Sequence, residues 1–457
     1  MNVNIAKYIQ EQTMSRPIAI FNWRWDWRDF LFKSSIISAG LMLMFLLVLF
    51  KSKTAIDFSL EPHLFFYAIF VTGFILSRII AAMLYKSSFS SLVDSIKKNN
   101  DDLGIKYEPT VSFVIPCKNE EQDIADTINK CYEIDYPSDK FEVIVINDGS
   151  TDKTLDVLKK YKKKYPNLRV FNWDVNQGKR WGMTIGFMAS RSEIVVQLDS
   201  DSYIDPETFQ ELIDPFQNPD ISAVCADGQP KNANTNVLTK MQAAYYFMSF
   251  NILKAAESTY ETVFCCSGCC SAYRKKAVTP ILHKWVEERF LGLPVTWGDD
   301  RSLTSWIIKG GGKTIFANKA RAYTIVPEQV KKLLVQQLRW KKSWIVNFFL
   351  TVKFIVIKQP FVSFFYYLPL FVISILTPIM TFRALIYLPL FRGILPVFHI
   401  TGIILLTGII ALYYRYLDKE NKYWAYLFLW SFFNLFILSF MMVWAAIRIQ
   451  DRGWGTR

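Results

Sequence analysis

The chain has 457 residues, of which 51% are hydrophobic and 16% aromatic, and its mean hydropathy is positive. This composition is unusual for a soluble protein and predicts membrane-spanning segments. The formal net charge of +13 suits nucleic acid, an anionic membrane or an anionic substrate, so charge alone does not identify the partner. The seven cysteines are odd in number, which argues against a disulfide framework and favours a reducing, cytosolic middle domain.

The N-terminal part of the chain predicts an interfacial segment followed by a membrane hairpin. Within residues 1–33, Phe21 to Phe30 alternates rings with charges, which is typical of a helix in the lipid headgroup layer. Stacking on nucleic acid is the alternative, but the adjacent span favours lipid, so we expect membrane lipids and no nucleic acid as partners. The apolar runs Ser34 to Phe50 and Leu64 to Leu84 predict a hairpin over 34–86. Basic residues before it place the N-terminus and the middle of the chain in the cytoplasm.

Residues 87–328 form the predicted cytoplasmic domain. From Pro109 to about Val326, short β-branched runs alternate with helical stretches. This alternation predicts a parallel sheet with helices on both faces, whose ligands bind at the carboxyl ends of the strands. The predicted elements are strands at Val111–Pro116, Phe141–Ile146, Leu168–Phe171 and Ile194–Leu198 and helices at Gln122–Tyr132, Lys153–Lys164 and Gly178–Ala189.

The C-terminal third returns to the membrane. Residues 329–360 are basic and amphipathic, and residues 361–447 contain three apolar blocks, 361–382, 393–414 and 423–447. Three full crossings would leave the C-terminus outside the cell. Basic residues on both sides of the last block instead predict that both its ends are cytoplasmic, which a re-entrant segment or a tight hairpin satisfies. Residues 448–457 then form a cytoplasmic C-terminal segment.

Two aspartates follow the fourth predicted strand, in the sequence Asp199-Ser200-Asp201. Because the strand ends here, both carboxylates lie on a loop at the carboxyl edge of the sheet. Such a pair suits a hard divalent cation, Mg²⁺ or Mn²⁺, which in turn neutralises a diphosphate. A solvated turn is the simpler explanation for an isolated Asp-x-Asp, so the neighbouring strand ends decide.

Polar loops follow the other predicted strands as well. Glu120 lies after the first strand, and Asp148 and Gly149 follow the second. Lys179 opens the third predicted helix, where free backbone N–H groups and an amine suit a phosphate. Several polar loops at one edge of a sheet therefore predict a nucleotide-diphosphate pocket.

These loops and three later segments resemble a known family. The stretches concerned are Asn119-Glu120, Asp148-Gly149-Ser150, Gly178-Lys179-Arg180, Asp199-Ser200-Asp201, residues 290–304, residues 336–343 and Trp454-Gly455-Thr456-Arg457. The first four resemble successive motifs of family-two glycosyltransferases. The later three are similar to segments of the hyaluronan synthases and related chitin-type synthases. The resemblance implies an α/β nucleotide-sugar-binding domain of GT-A type, inserted between N- and C-terminal α-helical transmembrane segments.

The resemblance also implies which residues bind the donor and which the acceptor. On the donor side it assigns Glu120 and Asp148 to the uridine, Lys179 and Arg339 to the diphosphate, and Asp199 with Asp201 to the metal. On the acceptor side it assigns Asp300 as general base, Trp340 as the platform under the acceptor sugar, and Ser267, Gly268 and Cys269 as residues that border that sugar. Gln336 and Gln337 are expected as further substrate-binding residues. Trp454 belongs to a segment that would fold over the nucleotide pocket as a lid.

Two assignments have structural alternatives. Asp299 and Asp300 repel each other, so one of them can serve as a structural partner of Arg301, and the resemblance favours Asp300 as the base. Arg339 can be read as an anchor at the membrane surface, and we prefer that interpretation for Lys341 and Lys342.

Four cysteines lie within six residues, at Cys265, Cys266, Cys269 and Cys270. Two vicinal pairs leave little chain to surround a tetrahedral zinc ion, so we favour a pocket-lining role for Cys269 and Cys270 over a zinc site. Hyaluronan synthases commonly have Pro-Leu where these two residues stand. Because these positions border the acceptor sugar in the family, this departure leaves the identity of that sugar, and therefore of the polymer, open.

The prediction is a processive inverting glycosyltransferase at the plasma membrane, with its catalytic domain in the cytoplasm. It would polymerise UDP-GlcNAc, together with UDP-glucuronate, into a β-linked polysaccharide such as hyaluronan and export it. A synthase of chitin oligosaccharides or another single-sugar β-glycan is the alternative, and a non-catalytic receptor for nucleotide sugars is a further one. We infer no obligate protein partner.

Overall fold

The computed structural model describes residues 31–42, 61–102 and 106–451. Ten strands in this part of the chain are β1 Val111–Cys117, β2 Phe141–Asp148, β3 Leu168–Trp173, β4 Ile194–Gln197, β5 Tyr203–Ile204, β6 Ile221–Pro230, β7 Ser271–Arg274, β8 Arg289–Phe290, β9 Leu293–Pro294 and β10 Lys313–Thr324. The first eight helices used below are α1 Leu31–Met42, α2 Pro62–Asp102, α3 Ile124–Tyr132, α4 Thr154–Lys164, α5 Lys179–Ala189, α6 Phe209–Ile213, α7 Val237–Met248 and α8 Asp299–Lys309.

Four longer helical segments follow, and they include the apolar C-terminal part. They are α9 Val330–Lys358, α10 Pro360–Arg392, α11 Val397–Leu417 and α12 Tyr423–Ile447. Shorter helical stretches lie between α7 and α8, at Ser249–Lys254, Ala255–Ser258, Lys275–Val278 and Leu282–Val286. The stretch Ser249–Lys254 is π-helical, a rare conformation that is frequent at functional sites.

Eight strands form one sheet in the order β3-β2-β1-β4-β7-β6-β10-β5. The four predicted strands, β1 to β4, are all present, and they pair in parallel. The predicted parallel sheet is confirmed over these four strands, but the full sheet is mixed, because β7 runs antiparallel to both β4 and β6 and β5 runs antiparallel to β10. Both reversed strands are short, at four and two residues, so no periodic pattern in the sequence marks them.

Helices cover both faces of the sheet, as predicted. On one face, Met183 and Phe187 of α5 pack with Tyr85 of α2 and with side chains from β1 and β2. On the other face, Ile128 of α3 and Leu158 of α4 pack against the alternate side chains of the same strands. Strand β1 is buried along its full length, as expected for a central strand of a two-sided sheet.

Apolar helices flank this domain on both sides in the chain. Four segments among the described residues are long and apolar enough to cross a membrane, namely Pro62–Tyr85, Pro360–Arg392, His399–Leu417 and Tyr423–Ile447. The predicted first span is described only as the short helix α1, and the interfacial segment before residue 31 lies outside the described residues. The middle C-terminal block begins at Val397 rather than residue 393, after an irregular stretch with Gly393 at positive φ.

Both ends of α12 contact the catalytic side of the molecule. At its start, Tyr423 Oη donates to Asn234 Oδ1 over 2.7 Å. Beyond its end, Lys342 Nζ in α9 donates to the backbone oxygen of Asp451 over 2.9 Å. A helix of 25 residues that crossed the membrane once would separate its ends by the membrane thickness. The block is one helix of 25 residues, and its re-entrant or hairpin interpretation stays a prediction that these contacts do not test.

Candidate active site

The functional loops meet where sequence analysis placed them, at the carboxyl edge of the parallel strands. Strand β1 pairs with both β2 and β4 in parallel register, so the loops after these three strands leave the sheet on the same side. Glu120 lies on the first loop, Asp148 ends β2, and Asp199 follows β4. The edge also receives the first turn of α5, which begins at Lys179.

Asp148 organises the entrance to α5. Its Oδ1 accepts from the backbone N–H of Gln177 at 2.6 Å, and its Oδ2 accepts from that of Gly178 at 2.9 Å. These bonds hold the turn that leads into the helix and direct its first free N–H groups towards the pocket. Asp148 is 4% exposed, so in the structure it shapes the loop around the expected uridine position.

Lys179 and Asp199 form an ion pair that joins the start of α5 to the loop after β4. Burial lowers the pKa of Lys179, but Asp199 and Asp299 raise it to above its ordinary value, so the amine is charged. The backbone N–H of Asp199 donates to the oxygen of Gly268 at 3.0 Å, and the Gln197 amide donates to the same oxygen at 2.9 Å. The loop that contains Ser267 and Gly268 is thereby attached to the Asp-x-Asp loop.

The structure separates the roles of the two adjacent acids. Asp299 is 5% exposed and accepts from Arg180 Nε over 2.8 Å, so it is the structural member. Asp300 contacts the Gly268 loop, where its Oδ2 accepts from the backbone N–H of Gly268 at 3.3 Å and lies 3.5 Å from the thiol of Cys265. The structural partner of Asp299 is therefore Arg180 and not Arg301.

The environment of Asp300 keeps it ionised. Burial raises the pKa of Asp300, whereas Lys179, Arg301 and the backbone N–H of Arg301 lower it, and the net pKa is below its ordinary value. The Arg301 N–H bond to Oδ1 is 2.8 Å long. At neutral pH the side chain is therefore a carboxylate that can accept a proton, as a general base must.

Arg180 connects the two halves of the site through a buried network. Besides Asp299, its guanidinium bonds to Glu288 Oε2 at 3.2 Å and to the backbone oxygen of Trp285 at 3.0 Å. Glu288 also accepts from Trp306 Nε1 at 2.9 Å, and from Ser302. Because Arg180 follows Lys179 and Asp299 precedes Asp300, this network positions the Lys179 amine and the Asp300 carboxylate relative to each other.

Helix α8, which carries Asp300, packs directly on α9. Gly298, the residue before α8, has φ +68°, and a Cβ placed there would lie 1.7 Å from Ser343 Oγ. Further along, Thr351 Oγ1 bonds to Ser305 Oγ over 2.9 Å. Glycine at 298 therefore serves both the left-handed backbone and the close approach of the two helices.

Gly298→Ala is expected to destabilise the protein by about 3 kcal/mol, of which about 1 kcal/mol is backbone strain and the rest overlap with Ser343. Gly292→Ala is the matched control, because Gly292 has φ +79° with no atom within 4 Å of an added Cβ. Thermal unfolding of the detergent-purified variants separates the two contributions. Equal losses in both variants would contradict close packing at position 298.

The cysteines of the Cys265–Cys270 segment lie in three different environments. Cys269 packs with Phe250 in the core on one face of the sheet, whereas Cys270 is fully buried in the core on the other. A pocket-lining role for Cys270 is therefore wrong, because adjacent residues at a strand start point to opposite faces. Cys265 is half-buried beside Asp300, and burial raises its pKa to about 12, so the thiol is protonated at neutral pH.

Residues 112–282 match the family described as Glycosyl transferase family 2. This match lies within the central domain. The chain is 29% identical over 388 residues to a hyaluronan synthase from Streptococcus pyogenes serotype M3, covering 83% of this chain and 89% of that protein. It is 31% identical over 257 residues to an N-acetylglucosaminyltransferase from Azorhizobium caulinodans, covering 56% of this chain and 64% of that protein.

The fold agrees with this assignment. A mannosyltransferase from Pyrobaculum calidifontis, solved in complex with GDP-Man and Mn²⁺, superposes with a TM-score of 0.51 at 17% identity, covering 82% of this chain and 99% of that one. At this identity the likeness concerns the fold alone, and it confirms the GT-A type of the family 2 domain. The similarity to hyaluronan synthases supports a glycosyltransferase, and the four apolar helices among the described residues support a membrane protein.

The family 2 domain offers two carboxylates for a divalent cation. Asp199 and Asp201 lie on one loop after β4, and Asp201 is 6% exposed with Ser202 Oγ 3.0 Å from its Oδ1. In the described part of the chain, His, Cys, Asp and Glu residues form no group of three or more suited to a metal. Two protein ligands fit Mg²⁺ or Mn²⁺, because such ions usually complete their shell with substrate phosphates and water.

The remaining predicted residues of the glycosyltransferase lie on α9 or outside the described part. Gln336, Arg339 and Trp340 are half-buried on α9, and Gln337 is buried there. Trp454 lies outside the described residues. The prediction that Lys342 anchors at the membrane surface is wrong, because it is 3% exposed and bonded to Asp451. The sequence missed this contact because its partners are more than one hundred residues apart.

Lys254 is a functional-site residue that the sequence analysis did not single out. It is buried at the end of the π-helical stretch, and its amine donates to the backbone oxygen of Cys265 at 2.7 Å and to Ser267 Oγ. It thus holds the loop that contacts both Asp199 and Asp300. No local pattern marks it, since a lysine near a helix end is ordinarily solvated.

Proposed function

We propose that the chain is a processive inverting glycosyltransferase that polymerises UDP-sugars, UDP-GlcNAc with UDP-glucuronate, into a β-linked polysaccharide and exports it. The observation that carries this proposal is the position of Asp300. Its ionised carboxylate lies beside the Gly268 loop, and that loop is bonded to Asp199, the partner of Lys179. An inverting transfer requires a base for the acceptor hydroxyl and a cationic site for the leaving diphosphate. In this chain the two candidates lie on opposite sides of one loop.

In the proposed mechanism the chain's residues bind the donor, orient the acceptor and accept one proton. Lys179 and Arg339 would neutralise the diphosphate as it leaves, and the free N–H groups at the start of α5 would add to this. Asp199 and Asp201 would hold Mg²⁺ or Mn²⁺, which supplies further positive charge to the diphosphate. Asp300 would take the proton from the acceptor hydroxyl as that oxygen attacks the anomeric carbon.

The arrangement of α9 supports coupling of synthesis to export. Arg339 and Trp340 lie in its first half, next to the catalytic domain. Its second half contacts α10, since Phe348 stacks on Phe371 with ring centroids 3.5 Å apart. We propose that Trp340 supports the acceptor sugar at the mouth of a passage between the membrane helices. The nascent chain would then move outward by one sugar after each transfer.

A single-sugar β-glycan synthase is the second candidate. Two observations favour it: a relative named as an N-acetylglucosaminyltransferase, and Cys269-Cys270 at positions where Pro-Leu is common in hyaluronan synthases. Cys269 is 7% exposed, and a Cβ placed at Gly228 would lie 2.9 Å from its Sγ. A changed side chain there alters the space available to the acceptor sugar.

Product analysis tests the proposal. Detergent-purified protein is incubated with UDP-GlcNAc alone, UDP-glucuronate alone, or both, with Mg²⁺ or Mn²⁺, and the product is digested with a hyaluronan-specific lyase. We expect lyase-sensitive polymer with both donors and loss of UDP release when EDTA removes the metal. Chitinase-sensitive product from UDP-GlcNAc alone would establish the second candidate. Nucleotide-sugar binding without UDP release under any condition would contradict both candidates and favour a receptor.

A further inference from the structure

The β8–β9 hairpin is an apolar feature that the mechanism above does not use. Its two strands form a separate sheet, apart from the eight-stranded sheet of the catalytic domain. The tip of the hairpin is Leu291-Gly292, and Leu291 is 67% exposed. Residues 295–298 join the hairpin to α8, the helix that carries Asp300. A large apolar side chain therefore projects from the domain close to the site.

The backbone at the tip is unfavourable for a leucine. Leu291 has φ +50° and Gly292 has φ +79°, so both lie in the left-handed region. Glycine and asparagine adopt this conformation readily, whereas a bulky side chain is uncommon there. The turn is held by a hydrogen bond from Arg289 Nη1 to the backbone oxygen of Gly292 at 3.1 Å. The turn by itself therefore does not account for a leucine at this position.

The apolar surface of the hairpin continues onto the membrane helices. The ring centroid of Phe290 lies 6.2 Å from that of Phe349 on α9, and Phe349 lies 5.7 Å from Phe371. Phe371 belongs to Pro360–Arg392, a segment long and apolar enough to cross a membrane. Phe349 is itself 43% exposed. Three aromatic side chains thus connect the hairpin to a candidate span through one apolar surface.

The end of α12 indicates the depth of the hairpin relative to a membrane. Trp444 is 48% exposed, and the guanidinium of Arg448 lies 5.0 Å from the centroid of its ring. Tryptophan and arginine at the end of an apolar helix are typical of the lipid headgroup layer. Ile449, the residue after Arg448, lines one groove together with Leu291 and Leu293 of the hairpin. The tip of the hairpin therefore lies at the level of the headgroup layer.

We propose that the hairpin tip, Leu291-Gly292-Leu293, inserts into the membrane leaflet beside the catalytic domain, with lipid acyl chains in the groove next to Ile449. Arg289 is exposed at the base of the hairpin, where its charge faces the lipid phosphates. A leucine suits the tip, because moving an exposed apolar side chain from water to acyl chains is favourable. The hairpin is thus a further contact between the catalytic domain and the bilayer. This inference requires a membrane but no particular sugar substrate.

Fluorescence quenching by lipid tests the inference. Leu291→Cys is labelled with a nitrobenzoxadiazole fluorophore in the full chain, in nanodiscs of phosphatidylcholine and phosphatidylglycerol that contain a lipid with a nitroxide on its acyl chain. Met188→Cys is the matched control, because Met188 is 62% exposed and lies in the last turn of α5, away from Lys179. We expect the nitroxide to quench the label at 291 about threefold more strongly than the label at 188, and aqueous iodide to show the reverse order. The unaltered chain, treated in the same way, gives the background from its seven cysteines.

A second variant removes the apolar side chain and keeps the turn. Asparagine tolerates positive φ, so Leu291→Asn should not lower the midpoint of thermal unfolding in detergent. In nanodiscs it should raise the rate of tryptic cleavage after Arg289 about tenfold, whereas Met188→Asn should leave that rate unchanged. Lipid quenching no stronger at 291 than at 188, or an unchanged cleavage rate in Leu291→Asn, would overturn the inference. Protection of the 291 label from both quenchers would also overturn it, because the tip would then contact protein. Neither readout uses sugar transfer, so failure here is distinct from failure of the proposed function.

Discussion

Asp300→Asn is expected to lower the rate of sugar transfer about a thousandfold, because an amide cannot accept the proton of the attacking hydroxyl. The substitution keeps the size of the side chain, and its one amide oxygen can keep either the Arg301 N–H bond made by Oδ1 or the Gly268 N–H bond made by Oδ2, but not both. Neither bond involves a residue assigned to the donor. Donor binding should therefore persist. The measurement is UDP release under saturating donor, with the affinity for UDP determined by calorimetry on the same preparation.

The pH dependence gives a second view of the same residue. Because Lys179 and Arg301 hold the pKa of Asp300 below its ordinary value, the base is ionised throughout the neutral range and loses its charge only as the pH falls through that lowered pKa. Activity should accordingly persist to a lower pH than an unperturbed aspartate would allow. Transfer by Asp300→Asn at more than a tenth of the original rate, with UDP affinity intact, would exclude this residue as the base.

Arg180→Met is expected to destabilise the protein by about 3 to 5 kcal/mol, because Asp299 and Glu288 would lose the cation that compensates their buried charges. The side chains of these three residues are 6%, 5% and 8% exposed, so solvent cannot replace the guanidinium. For a domain of this size the loss corresponds to a fall of roughly 10 °C in the unfolding midpoint. Thermal unfolding in detergent measures it.

Arg191→Met is the matched control for that experiment. Arg191 is exposed and lies two residues after the end of α5, the helix whose first turn contains Arg180. Its replacement should change stability by less than about 0.5 kcal/mol. The double variant Arg180→Met with Asp299→Asn should lose less than the sum of the two single changes, because one uncompensated charge is then removed. Additive losses would show that the pair does not act as a unit.

Much of the catalytic domain was accessible from the sequence, because its signals are local. The four strands β1 to β4 and helices α3 to α5 follow from runs of β-branched and periodic apolar residues, and the structure places each within a few residues of its predicted bounds. The convergence of Glu120, Asp148, Lys179 and Asp199 on one edge follows from parallel pairing alone. The apolar segments were likewise evident from length and composition.

Contacts between distant parts of the chain were not accessible. Hydrophobic patterns do not reveal which of two adjacent acids an arginine will reach, and Arg180 reaches Asp299 across 119 positions. The direction of β7 depends on the path of the helical region before it, so a four-residue strand carries no sign of its reversal. The sequence also did not show that Cys269 and Cys270 lie on opposite faces of the sheet, where they pack into different cores.

For this protein, the sequence by itself determined a membrane-flanked α/β domain with acidic and basic loops at one sheet edge, because secondary structure and strand-end chemistry arise from neighbouring residues. The tertiary structure was needed to show that Asp299 pairs with Arg180 while Asp300 contacts the Gly268 loop, and that Lys342 binds Asp451. These outcomes depend on which buried charges find partners from remote segments. That choice is made by the packed fold as a whole.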